Sequence, residues 1–168
     1  MAYKHPLRTS LCVGLLALST LLGSACAAPF KVTDVPDGFV EVDASDYNAR
    51  YKALDNVGMR VHAFDNHKGG TLDYWAKDLT NKLAQRGYTK TGEGKTKSGN
   101  GVDGQILHFD YSPPGQKDAE GNALQKFYSV VLFVTEDYRV VLETAGDAGY
   151  AGDYRGRIDA VAATLKIR

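Results

Sequence analysis

The chain has 168 residues, the size of one domain. Hydrophobic residues make up 43% and charged residues 24%, which argues against a disordered, collagen-like or disulfide-stapled chain. Twenty Lys and Arg balance twenty Asp and Glu, so a nucleic-acid binder driven by basic excess is disfavoured.

The N-terminus reads as a secretory signal. Lys4 and Arg8 form a positive start, Leu11 to Leu22 is a short apolar run, and Gly23-Ser24-Ala25-Cys26-Ala27 is a small-residue cleavage zone. The apolar run is too short for a transmembrane helix, which needs about 20 apolar residues. Two processing outcomes compete. Leu22 to Cys26 resembles a bacterial lipobox, with residues 1–25 removed and Cys26 becoming the lipidated first residue. Gly23 departs from that pattern, where an aliphatic residue is usual. The alternative is ordinary cleavage after Ala27. Either way Cys12 is lost, and the mature domain keeps no free thiol or disulfide. Loss of Lys4 and Arg8 leaves 18 basic residues against 20 acidic, a net charge of −2.

Residues 26–38 contain Pro29, Pro36 and Gly38 and read as a tether before a single domain at 39–168. Phe39 to Val42 is expected as a short strand. Tyr47–Leu54 and Gly58–Phe64 form a hairpin across Asp55-Asn56, with Met59, Val61 and Ala63 alternating against Arg60, His62 and Phe64. Leu72, Trp75, Ala76, Leu79 and Leu83 fall on one helical face, which predicts a helix over 71–86 with Thr71 as N-cap and Gly87 as stop. Ser98-Gly99-Asn100-Gly101 predicts a turn between strands at 88–97 and 102–111. Residues 112–126 are a polar loop, and Phe127–Val134 is apolar on both faces, as a central strand is. Glu136-Asp137 turns into a strand at 138–144. Tyr154, Ile158, Val161, Ala162 and Leu165 then predict a helix over 153–166. The order predicts an α+β domain, a mostly antiparallel β-sheet with two amphipathic helices packed on it.

Three stretches carry a family likeness. They are the hairpin leading into Thr71-Leu72-Asp73-Tyr74-Trp75-Ala76 and closing at Arg86-Gly87-Tyr88, the strand Phe127 to Phe133, and the closing helix through Ala162, Ala163, Thr164 and Leu165. In this order the chain resembles the Mog1/PsbP/DcrB-like α/β group. The resemblance implies a non-catalytic envelope protein, often an adaptor or assembly factor, and carries over no functional residue.

Local chemistry is sparse. Gly92-Glu93-Gly94-Lys95-Thr96 ends like a phosphate loop, but Thr89 stands where the first Gly belongs and a helix precedes instead of a strand. Ser112, His108 and Asp110 have triad residue types without a nucleophile elbow. His62, Asp65 and His67 have metal-ligand character, with His108 and Asp110 able to join them, yet lack a tight ligand spacing. Lys90, Lys95 and Lys97 form a local basic patch beside Tyr88. Tyr138, Tyr150 and Tyr154, among glycines, form a candidate interaction surface.

The expectation is an exported bacterial envelope protein in the periplasm. It would be anchored to the membrane through lipidated Cys26, or soluble if cleaved after Ala27. It would act as a non-catalytic adaptor for another envelope protein, with no cofactor and no nucleic acid, and with contacts from loops 65–70, 98–104 and 112–126. The alternative is a small-ligand binding module with a pocket between helix 71–86 and the sheet.

Overall fold

The computed structural model describes residues 28–168. The signal-peptide reading of residues 1–25 and the lipidation of Cys26 fall outside the described residues. None of the described helices is long and apolar enough to cross a membrane.

In chain order the elements are β1 (Phe30–Lys31), β2 (Phe39–Ser45), β3 (Asn48–Ala53), β4 (Gly58–Asp65), α1 (Leu72–Gln85), β5 (Thr89–Lys97), β6 (Asp103–Tyr111), β7 (Lys126–Val134), β8 (Tyr138–Asp147), a 3-10 turn at Ala148–Tyr150, α2 (Ala151–Thr164) and β9 (Lys166–Ile167). Strands β2 to β8 build one seven-stranded sheet in the order β2-β3-β4-β8-β7-β6-β5. Every neighbouring pair is antiparallel. The expected α+β class, antiparallel sheet and two packed helices are all present.

The sheet has two unequal faces. On one, Met59, Val61, Ile106, Phe127, Val131, Phe133, Val140 and Leu142 meet Tyr154, Ile158, Val161 and Leu165 in the main core. On the other, Leu107, Phe109 and Leu132 meet Ala76 and Leu83 of α1 in a smaller core. Strand β7 contributes to both, which is why Phe127–Val134 is apolar on both faces apart from Ser129. Burying one such Phe or Leu contributes about 1.5–3 kcal/mol.

The helix α1 follows its sequence signals closely. Thr71 Oγ1 accepts from the Tyr74 amide, and Gly87 takes φ +86 just past the helix, where a side chain would be strained. The hairpin turn before β4 uses Asn56 at φ 58, a conformation Asn tolerates better than most residues.

Four boundaries need correction. The tether 26–38 contains β1, whose Phe30 is buried and pairs with Ile167 of β9. Helix α2 spans 151–164 and stops short of 166, because Leu165 turns extended and Lys166–Ile167 pair with β1. Strands β2 and β8 run three residues beyond their expected ends, since each has a long antiparallel neighbour.

Candidate functional site

Helix α1 covers the β5–β7 half of its sheet face. The β2–β4 half beside it carries no helix, and there the even positions of β4 emerge: Arg60, His62 and Phe64. Phe64 is 44% exposed at the end of the strand. Strand β8 pairs with β4 so that Phe64 lies opposite Arg139. The Arg139 guanidinium sits 5.5 Å from the Phe64 ring centre and 4.0 Å from that of Trp75 on α1. Beyond Trp75, Tyr74 packs edge-on at 5.0 Å; below Phe64, His62 packs edge-on at 4.7 Å. The result is a continuous ladder, His62–Phe64–Arg139–Trp75–Tyr74, at one end of the sheet. Cation–π contacts of this kind contribute roughly 0.5–2 kcal/mol each, depending on burial.

The ladder is held from beneath by Asn66. Its side chain donates to the carbonyls of Thr135 at 2.8 Å and Gly70 at 3.1 Å, and it accepts from Trp75 Nε1 at 3.0 Å. Asn66 is buried, so these bonds fix both loops flanking the ladder and the rotamer of Trp75. Arg139 Nη2 donates to the Asp65 carbonyl, tying strand β8 to the same corner.

Next to the ladder a groove of about 260 Å³ runs between α1 and the sheet, lined by Phe64, Trp75, Leu79, Leu132 and Val141. Its polar floor is His62, Glu143 and Tyr128. Tyr128 Oη donates to Glu143 at 2.6 Å, and His62 Nε2 lies 3.8 Å from the other carboxylate oxygen. Burial foremost, and then the Glu143 charge, hold the Tyr128 hydroxyl protonated far above its usual range. A larger hollow of about 630 Å³ continues over Asp43, Arg50 and Arg60. There two arginines lie directly opposite each other, Arg50 and Arg60, flanked by Asp43 opposite Arg50 and Glu143 opposite Arg60.

Burial lowers the pKa of His62 from 6.5; Glu143 opposes this and Arg60 adds to it. His108 is lowered for the same first reason, with Arg155 contributing. A lowered pKa means that the unfolded chain takes the proton first. The stabilisation is therefore complete above pH 6.5 and is lost as pH falls from there through the folded pKa values. Urea midpoints are expected to fall between pH 7.5 and 5, less so for His62→Gln and least for His62→Gln with His108→Gln. Equal slopes for all three proteins would overturn the assignment.

The sequence candidates are redistributed. His62 lies on the α1 face of β4, whereas Asp65, three residues on, takes the other side and pairs with exposed His67 at 3.2 Å. Strand alternation thus splits His62 from the Asp65–His67 pair. Among the described residues no three His, Cys, Asp or Glu side chains are grouped to hold a metal ion. Tyr138, Tyr150 and Tyr154 do not form one surface. Tyr154 is buried, bonded to Asp55 at 2.9 Å and packed edge-on against Phe39, while Tyr138 starts β8 at the opposite end of that strand and packs on Tyr47. His108 bonds Ser129 at 2.8 Å and Asp110 pairs with Arg155, so neither serves Ser112. Gly92–Thr96 lies inside β5, with no helix after it to cradle a phosphate. Two lysines of the basic patch are in local ion pairs, Lys90 with Glu93 and Lys97 with Asp103. The ladder itself was missed, although its signal was present: Phe64 is a large apolar residue on the polar side of its strand.

The fold is of the α+β class: an antiparallel sheet that carries one helix on each face. The similar solved structures include Mog1p, the Ran-binding protein of Saccharomyces cerevisiae, at 14% identity over 74% of this chain and 76% of that one, with a TM-score of 0.47. They also include the cyanobacterial PsbP of Synechocystis, at 13% identity over 98% and 100% with a TM-score of 0.47. A Bacteroides thetaiotaomicron protein is similar at 13% identity over 84% of this chain and 48% of that chain, with a TM-score of 0.43. No family model and no curated protein sequence matches the chain. The likeness is one of fold, and the functional reading rests on the geometry above.

Proposed function

We propose that the chain is an exported, non-catalytic adaptor that docks another envelope protein on the His62–Phe64–Arg139–Trp75–Tyr74 ladder, with lipidated Cys26 as its membrane anchor. The observation that carries this is the pair of exposed aromatics, Phe64 and Tyr74, joined through Arg139 and Trp75 and braced by Asn66. Aromatic and Arg side chains held rigid at a surface are the common anchors of protein interfaces. The adjoining groove favours a second reading, a small ligand under α1 that bonds His62 and Glu143. At about 260 Å³ it lies below the roughly 300–1,000 Å³ of most ligand pockets, and so fits one inserted side chain of a partner better.

The test is site-specific photocrosslinking in cells. A crosslinker in place of Phe64 is expected to trap a discrete protein adduct, lost when Tyr74 is also changed to Ala. A crosslinker in place of Leu54, which is fully exposed and isolated, serves as the control. Equal labelling at both positions would refute the adaptor. Phe64→Ala is expected to cost only about 1 kcal/mol, the loss of its contacts with Arg139 and His62 at a half-exposed site, leaving the fold intact. The intact mass of the processed protein tests the anchor: a mass starting at Cys26 with acyl chains supports it, and one starting at Ala28 overturns it.

A further inference from the structure

We propose that β2 is a docking edge for an extended segment of a protein partner that carries Lys or Arg, added as an eighth strand. This surface is independent of the ladder and rests on a comparison of the two ends of the sheet.

The sheet is open at β2 and at β5. Edges left bare pair with other chains, and proteins commonly blunt them with charge, above all Lys. Strand β5 is blunted in this way: it carries Lys90, Lys95 and Lys97 and no large apolar side chain. Strand β2 is different. Every residue after Phe39 is exposed, with Val40 at 65% and Val42 at 60%. No Lys, Arg or His occurs from Val32 to Ala49, while Asp34, Asp37, Glu41, Asp43 and Asp46 do. Among the described residues none of these five carboxylates lies within ion-pair distance of a basic side chain. Glu41 is hydrogen-bonded by Tyr51. The nearest bases are on the inner side: Lys52 opposite Val40, Arg50 opposite Asp43, and Arg157 bonded to the Asp37 carbonyl.

The charge selects the occupant. Two β2 edges would bring like charges together, which is unfavourable across a strand pair. A strand bearing Lys or Arg meets the carboxylates, and its apolar residues cover Val40 and Val42. In strand addition the main chain supplies affinity and the alternating side chains supply choice of partner. The bulge between Glu41 and Asp43 limits the regular edge to short segments on either side, so the added strand is short.

The test uses a phage-displayed random peptide library selected against the full chain. The expected peptides carry an excess of Lys or Arg without strict alternation, since the bulge sets Glu41 on the Tyr51 face and Asp43 on the Arg50 face. Their binding is expected to slow amide exchange within residues 39–45 and to weaken about tenfold or more in Glu41→Lys/Asp43→Lys, as it also does in raised salt. Phe64→Ala is expected to leave it unchanged, which separates this outcome from that of the ladder. Far-UV dichroism and the urea midpoint check the folding of the double variant, and Asp43→Asn gives a milder second reading. The proposal is overturned by peptides without basic excess, by protection confined to residues 62–75, or by sedimentation showing that β2 is occupied by the basic β5 edge of a second copy.

Discussion

Replacing Phe133 by Ala is expected to lower stability by about 4 kcal/mol, a loss typical of emptying a fully buried aromatic site. Phe133 is fully buried in β7, and its register partner in β6 is Gly104. A Cβ added to Gly104 would stand 2.5 Å from the Phe133 ring. The ring therefore fills the space that a side chain on Gly104 would occupy. Removing it leaves a void floored by bare backbone, and a hydrogen-bonded sheet cannot collapse to close it. Urea unfolding with an unchanged m-value measures the loss. A second change makes the argument sharper. Gly104→Ala is destabilising alone because its methyl meets the ring, but in the Phe133→Ala background the methyl enters the void. The two changes should couple by about 1 kcal/mol or more. Additivity would show that ring and glycine are not complementary.

Asn66→Ala is expected to cost about 3 kcal/mol. The change leaves three half-buried partners without their bonds, the Gly70 and Thr135 carbonyls and the Trp75 indole N–H. Each unsatisfied buried group costs about 1–3 kcal/mol, offset in part where water enters at the loop. The Asn66 backbone bond to the Asp137 carbonyl survives, so the loop is loosened and not released. Trp75 is the single tryptophan of the chain, and its emission reports the ladder directly. A red shift at native pH, together with loss of the Phe64 crosslink, is expected. Unchanged emission with a loss under 1 kcal/mol would show that Asn66 does not brace the ladder.

The two cases also show what can be read from the chain before its structure. Helix α1 was legible because its apolar residues repeat at helical spacing and its ends carry Thr71 and Gly87, all local signals. The β5–β6 hairpin was legible from Asn100-Gly101 for the same reason. The antiparallel class followed from the short connections. Other features depend on register between distant strands. Phe64 meets Arg139 only because β4 and β8 pair side by side, although α1 and three strands separate them in sequence. Strands β1 and β9 are two residues each, too short for any period, so Phe30 read as part of a tether. Tyr154 satisfied two patterns at once, a helix stripe and a Tyr/Gly-rich surface, and only packing against Phe39 decides for the stripe. Likewise His62 and Asp65 are neighbours in sequence whose side chains the pleat sends to opposite faces, leaving Asp65 with His67 alone.

The clasp of β1 on β9 bears on the timing of folding. Phe30 and Ile167 stand 137 residues apart in sequence, yet they pair directly. The centre of the sheet repeats this dependence, because β8 must insert between β4 and β7. A nascent chain lacking its final segment can form hairpins and α1 but has no finished interior. Pairings that span so much of the chain are slow to find, so the interior is expected to close late, once β1 and β9 are both available.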